Sequence, residues 1–310
     1  MFWLTRQSNG ACASGIASGR GVAFLESLEV SPQPFKKGRL RRGVYVLPSL
    51  FTVGTLVCGY FAILSSLRGV QMMATGGMEG LSLVAFDNAA KAIGWAILFD
   101  GLDGRIARLT NTSSAFGREF DSLADVITFG IAPAMLAYVW GVRGVESIFG
   151  TQDVELLRRA GWIVTFAYVI CGAARLARFN IDTVKPTTDR RFFVGLPIPA
   201  AAGVVAAVVH WAKAPIGHWG YGIAWLAGVA LLAFLMVSKM RYYSFKTLDV
   251  KKRRPFVAII LIGLIVWAIF AYSEQALLTL ALSYAVSGIV LRIVSRLRPH
   301  PPAQEEVHAA

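Results

Sequence analysis

Residues 100–125 read DGLDGRIARLTNTSSAFGREFDSLAD and set Asp100, Asp103, Asp121 and Asp125 inside or against apolar stretches long enough to cross a bilayer. An ionised aspartate at a helix centre is disfavoured by roughly 2.5–3.5 kcal/mol on insertion scales. A cluster of four therefore belongs against an aqueous cavity, a cation or other charges, and its default reading is functional.

Working outward, the chain has 310 residues, 55% of them hydrophobic and 16% charged, and a mean hydropathy of +0.57. These values exclude a soluble single-core domain and predict an all-α, polytopic membrane protein. Runs of about 20 apolar residues match a hydrocarbon core of about 30 Å. Such runs predict about eight transmembrane helices, at 48–68, 88–108, 121–141, 160–180, 193–212, 219–238, 256–272 and 275–295. The first six make a core over 48–238, expected to be the catalytic one if the acidic cluster is functional, followed by a basic loop at 239–255 and two additional spans within 256–298. Residues 1–35 read as a mobile extension without a secretory core, 36–47 as a basic juxtamembrane segment, and 299–310 as a disordered Pro-rich tail. Cys12, Cys58 and Cys171 make neither a disulfide framework nor a paired thiol metal site.

A formal charge of +13 raises the question of nucleic acid, but the cations cluster at the ends of alternate spans rather than over a domain surface. Lys36, Lys37, Arg39, Arg41 and Arg42 precede the first span, and Lys239, Arg241, Lys246, Lys251, Lys252, Arg253 and Arg254 follow the sixth. Positive-inside topology then places both termini, and the aspartate-rich connection, on the cytoplasmic side, with no nucleic-acid partner. The aromatic residues Trp140, Trp211, Trp219, Tyr242 and Tyr243 read as an interfacial belt, and Pro197 and Pro199 as helix-geometry devices.

Asp100, Asp103, Gly104 and Ala107 stand at i, i+3, i+4 and i+7 and share one helical face. Asp121 and Asp125, at i and i+4, do the same, and LTNTSSAFG between the pairs reads as a turn ending at Gly117. Two carboxylate pairs on adjoining antiparallel helices can converge. Oxygen donors without histidine or cysteine favour a hard cation, Mg2+ or Mn2+, over zinc. Gly104 and Ala107 leave room for a ligand, and Arg108 offers a planar donor fork suited to phosphate oxygens. Metal and arginine together point to a phosphate ester, while spacing does not say which aspartate acts as base.

The pattern D-G-x2-A-R-x8-G-x3-D-x3-D, counted from Asp103 through Gly117 to Asp125, resembles the signature of the CDP-alcohol phosphatidyltransferases. Asp100 stands where that family has its preceding aspartate. The resemblance implies attack by an alcohol hydroxyl on the β-phosphorus of a CDP-linked lipid, releasing CMP. Asp100, Asp103, Asp121 and Asp125 would be ligands of two divalent ions, Mg2+ or Mn2+, and Asp125 would also be the general base. Gly104, Ala107, Arg108, Ser114 and Gly117 would line the CDP-lipid pocket. A homodimer in a bacterial cytoplasmic membrane is implied as well.

Over residues 43–298 the resemblance extends to the integral-membrane subgroup of that family that uses serine. LPSLFTVGTLVCG, CGAARLARFN, FFVGLPIPAAAG and SKMRYYSFKTLD carry it. The first span departs from the subgroup at Ser49 and Thr55, where it usually has Asn; both residues retain a hydroxyl. The implied partners are CDP-diacylglycerol, L-serine and membrane lipids. Serine brings a carboxylate that needs a cation beyond the metal site. Arg175, Arg178, Lys185, Arg190 and Arg191 are the candidates, with Arg178 and Arg191 first. Two other readings make different demands on the sequence. Glycerol 3-phosphate or an inositol phosphate as acceptor calls for a stronger arginine cluster. An ion-coupled transporter would need acids continuing along a path, and the other spans carry few.

Overall fold

The computed structural model describes residues 46–75, 79–110, 115–145, 151–184, 192–243, 263 and 271–297, all within one compact unit, Arg42–Ala310. Its helices are α1 (Val46–Ala74), α2 (Glu79–Thr110), α3 (Ala115–Asp125), α4 (Ala132–Tyr138), α5 (Thr151–Val184), α6 (Ile198–Ala212), α7 (Trp219–Val237) and α8 (Ser273–Leu297). Wide π turns at Val126–Ile131 and Val139–Arg143 join α3 and α4 into one rod and extend it. Six stretches are long and apolar enough to cross a membrane: Leu50–Ala74, Gly80–Ile106, Phe116–Arg143, Asp153–Ile181, Trp219–Val237 and Ser273–Val294. The chain is a multi-pass, all-α membrane protein.

Two sequence expectations change. The 193–212 stretch is not one span: Phe192–Val194 forms a strand, β1, antiparallel to β2 at Arg241–Tyr243, with Phe193 opposite Tyr242. Gly195 follows with φ +81°, where an added Cβ would run into the carbonyl of Met236, so this position requires glycine. Only then does α6 begin, with Pro197 as its N-cap and a proline in its first turn. At 15 residues α6 is about 22 Å long, less than a bilayer core. The seventh expected span, 256–272, lies almost wholly outside the described residues, as do 1–45 and 298–310. Trp140 and Tyr242 are buried rather than part of an interfacial belt, whereas Trp211 and Trp219 are exposed.

In lipid, helices gain little from hiding apolar surface from water, so association rests on close packing and interhelical hydrogen bonds. α1 illustrates this. Leu50, Val53, Val57, Tyr60 and Phe61 face outward, while Thr52, Thr55, Ala62, Ser65 and Ser66 are buried. The small inner face lets α1 lie along α2, whose buried stripe is Ala85, Ala89, Ala92 and Ala96. Both α2 and α8 pack on α6, and α5 packs on α7. Far from the aspartates, Asp87 of α2 pairs with Lys91 at 2.7 Å and with His210 Nδ1 of α6. His210 Nε2 lies 3.2 Å from Ser273 Oγ, and Lys213 pairs with Glu274 at 2.5 Å. These contacts pin the first turn of α8 to α2 and α6.

Candidate active site

The last turns of α2 carry Asp100 and Asp103, and α3 carries Asp121 and Asp125. Carboxylate oxygens of Asp100, Asp121 and Asp125 all lie within 4.8 Å of one another. Oxygen ligands at about 2.0–2.6 Å from a shared ion would fall within that spread. Asp103 stands outside the triplet, and its Oδ2 accepts a hydrogen bond from the Thr52 hydroxyl of α1. Oδ1 of Asp103 and Oδ1 of Asp125 are buried and have no hydrogen-bond partner among the described residues. A buried carboxylate oxygen without a donor is costly unless something positive meets it. The donor set and its two orphaned oxygens fit a divalent cation.

Local structure explains how Asp125 is held. It is the last residue of α3 and flanks the π turn, a backbone form that recurs at functional sites. Pro133, in the first turn of α4, has no N–H to offer the carbonyl four residues back. That carbonyl, of Phe129, accepts instead from the buried Tyr168 hydroxyl of α5 at 3.2 Å. Thr128 Oγ1 donates to the Thr55 carbonyl of α1 at 3.2 Å. The crossing is close enough that a Cβ on Gly59 would come within 2.8 Å of Thr128 Cα. Asn180 Nδ2 donates to Ser122 Oγ at 3.0 Å, tying the end of α5 to α3.

A Cβ on Gly104 would meet nothing within 4 Å, so the face beside Asp100 and Asp103 is open. The side chains of Ala107 and Arg108, and all of Ser114, lie outside the described residues. Gly117 is not the end of the connecting turn: α3 already starts at Ala115, placing Gly117 in its first helical turn. Of the five basic candidates, Lys185, Arg190 and Arg191 lie outside the described residues. Arg178 donates to the Val237 carbonyl at the end of α7 at 3.3 Å, a structural bond. Arg175, one turn earlier, is buried, with its guanidinium 5.5 Å from the Phe179 ring centre. Its charge acts on Asp125.

Thr52, Asn180 and Tyr168 were not singled out from sequence. Thr52 had one usable signal, its place in the LPSLFTVGTLVCG stretch; the other two are ordinary residues on apolar helices.

Membrane helices that gather carboxylates at their ends, beside a face left open by glycine, define a multi-pass membrane protein with an acidic site suited to a divalent cation. The family model for CDP-alcohol phosphatidyltransferase matches residues 45–237, and the chain belongs to that family. It is 37% identical over 248 residues to a CDP-diacylglycerol–serine O-phosphatidyltransferase of Helicobacter pylori, covering 80% of this chain and 91% of that one. A Bacillus subtilis protein of the same name is 32% identical over 200 residues, covering 64% and 91%. One from Mycobacterium tuberculosis is 34% identical over 208 residues, covering 63% and 62%.

Proposed function

We propose that the protein transfers the phosphatidyl group of CDP-diacylglycerol to the hydroxyl of L-serine, giving phosphatidylserine and CMP. The observation that carries this reading is the meeting of Asp100, Asp121 and Asp125 with buried, unpartnered oxygens on Asp103 and Asp125. The names of the relatives supply the acceptor.

Asp100, Asp103, Asp121 and Asp125 would hold two divalent ions, Mg2+ or Mn2+. Such ions, when bound, neutralise the pyrophosphate and the charge developing on the departing phosphate. Asp125 takes the proton from the serine hydroxyl. The serine oxygen bonds to the lipid-side phosphorus as the bond from that phosphorus to the CMP phosphate oxygen breaks, and CMP leaves with that electron pair. Gly104, Ala107, Arg108, Ser114 and Gly117 line the CDP-lipid side. Of the two described candidates, the buried Arg175, whose charge acts on Asp125, leads Arg178 for the serine carboxylate, with Lys185, Arg190 and Arg191 as further candidates. The site opens to the cytoplasm of a bacterial cell, with both termini on that side, and the enzyme works as a homodimer.

A panel of alcohols tests the acceptor. Purified protein with CDP-diacylglycerol and Mn2+ should release CMP with L-serine and form phosphatidylserine. Release with glycerol 3-phosphate or an inositol phosphate but not with serine would overturn the acceptor and leave the family assignment standing.

A further inference from the structure

Near its start α5 carries a charged cluster at the end of the helix away from the aspartates; its other end is the one tied to α3 beside Asp121, through Asn180 and Ser122. Glu155 pairs with Arg158 and, at 3.1 Å, with Arg159, so two guanidiniums face one carboxylate and a positive charge is left over. Positive-inside topology gathers cations on the carboxylate side and does not account for a pair on the opposite one. Arg159 and Arg178 stand about 28 Å apart along the helix at 1.5 Å per residue, close to the thickness of a hydrocarbon core. Charged side chains at the two ends of such a stretch belong at the two interfaces. Arg159 therefore lies at the depth of the lipid headgroups on the face opposite the carboxylates.

Glu155, Arg158, Arg159, Trp162, Ile163 and Phe166 recur at helical spacing and form one stripe. The first five, with Tyr138 of α4 as the facing wall, line a cleft of about 400 Å3, a size within the roughly 300–1,000 Å3 of ligand sites. The two segments come close at Gly161, where an added Cβ would fall 2.8 Å from Val142 Cγ2 and 3.3 Å from the Tyr138 ring. The cleft thus lies between packed helices rather than on one. Deeper along the stripe the Trp162 and Phe166 rings stack, with centres 5.6 Å apart and planes inclined by 2°, and both rings and Ile163 are exposed. Within about three turns the surface passes from guanidinium to open aromatic and aliphatic side chains.

We propose that this cleft binds a net-anionic phospholipid of the leaflet opposite the carboxylates, with its phosphate on Arg159 and Arg158 and an acyl chain along Trp162, Ile163 and Phe166. Glu155 engages Arg159 through Nε alone, and the Arg159 side chain is 74% exposed. The donors of its two terminal nitrogens are uncommitted among the described residues, and a guanidinium fork matches two phosphate oxygens. Charge decides the class of lipid: a net-anionic one neutralises the surplus positive charge, whereas a zwitterionic one sets its own ammonium beside it. Free phosphate would satisfy the fork but leave the apolar half of the stripe uncovered, so the occupant is a lipid. Bound there, it bridges α5 and α4 at the end of the molecule away from the reacting groups.

Photo-crosslinking of the purified full-length protein in neutral detergent tests this, using phosphatidylglycerol with a diazirine on one acyl chain and peptide mapping of the adducts. Adducts should fall on the part of α5 around Trp162 and Phe166. Unlabelled phosphatidylglycerol should compete for them about tenfold better than phosphatidylcholine, and excess inorganic phosphate should not compete. Arg159→Gln should weaken this labelling about tenfold, as expected for a lost hydrogen bond between charged groups. Its thermal unfolding in lipid-free detergent should match wild type, because an exposed ion pair contributes little to stability. Trp162→Ala, which removes the apolar half of the contact, should weaken labelling in the same direction. Equal competition by the two phospholipids, displacement by inorganic phosphate, adducts confined to other helices, or labelling of Arg159→Gln at the wild-type level overturns the proposal.

Discussion

The Thr52 hydroxyl of α1 donates to Oδ2 of Asp103 on α2, so a helix with no aspartate of its own orients one carboxylate of the acidic site. Outer hydrogen bonds of this kind hold a ligand in the geometry an ion needs, and losing one typically lowers metal affinity 10–100-fold. Thr52→Val should therefore raise the Mn2+ concentration for half-maximal CMP release about tenfold, and Thr52→Ser should restore it. A metal titration that is unchanged in Thr52→Val would separate Asp103 from metal binding.

Tyr168 and Pro133 make a coupled pair. Tyr168→Phe leaves the Phe129 carbonyl without its side-chain donor and should destabilise the protein by about 1–3 kcal/mol. Pro133→Ala returns an N–H within reach of the same carbonyl. The double variant should thus be less destabilised than the sum of the single variants, as read from thermal unfolding in detergent. Strict additivity would mean that the two groups do not serve one acceptor.

Gly59 marks the closest approach of α1 to the π turn after Asp125. In Gly59→Ala the new Cβ falls 2.8 Å from Thr128 Cα, backbone that cannot swing aside. Overpacking of this kind costs about 1–3 kcal/mol or more. Lower thermal stability with a fall in kcat is expected, because Asp125 flanks the same turn; Gly94→Ala, whose Cβ meets open space, is the control. Equal behaviour of the two variants would contradict the crossing.

Arg175 and Arg178 should separate cleanly. Arg175→Ala is expected to raise the serine KM at least tenfold with little change in the CDP-diacylglycerol KM, through loss of a charged hydrogen bond worth about 1.5–3 kcal/mol. Arg178→Ala, which loses its bond to the Val237 carbonyl, should lower thermal stability and affect both KMs alike. The reverse pattern would return the serine carboxylate to Arg178.

The legible parts of this protein were those written in local spacing. Asp100 with Asp103, and Asp121 with Asp125, share helical faces by arithmetic alone, and six of the eight apolar runs match the long apolar helices. What spacing could not carry was set by packing between distant segments. Arg175 and Arg178 are three residues apart on one helix and look equivalent in sequence; the end of α7 engages one of them. Thr52 is one hydroxyl in an apolar run until α1 lies against α2. Phe192–Val194 reads as the start of a span because it is apolar, but Gly195 turns the chain and lets it pair with Arg241–Tyr243. Buried Trp140 fills the interior because its ring meets Trp225 edge-on at 5.2 Å.

The most direct measurement is serine-dependent CMP release by wild-type and Asp125→Asn protein at saturating Mn2+, with CDP-diacylglycerol binding followed on the same preparations. Wild-type protein should release CMP only when both serine and the metal are present, and Asp125→Asn should bind the lipid yet release none. Substantial release by Asp125→Asn, or wild-type release indifferent to serine, would contradict the account.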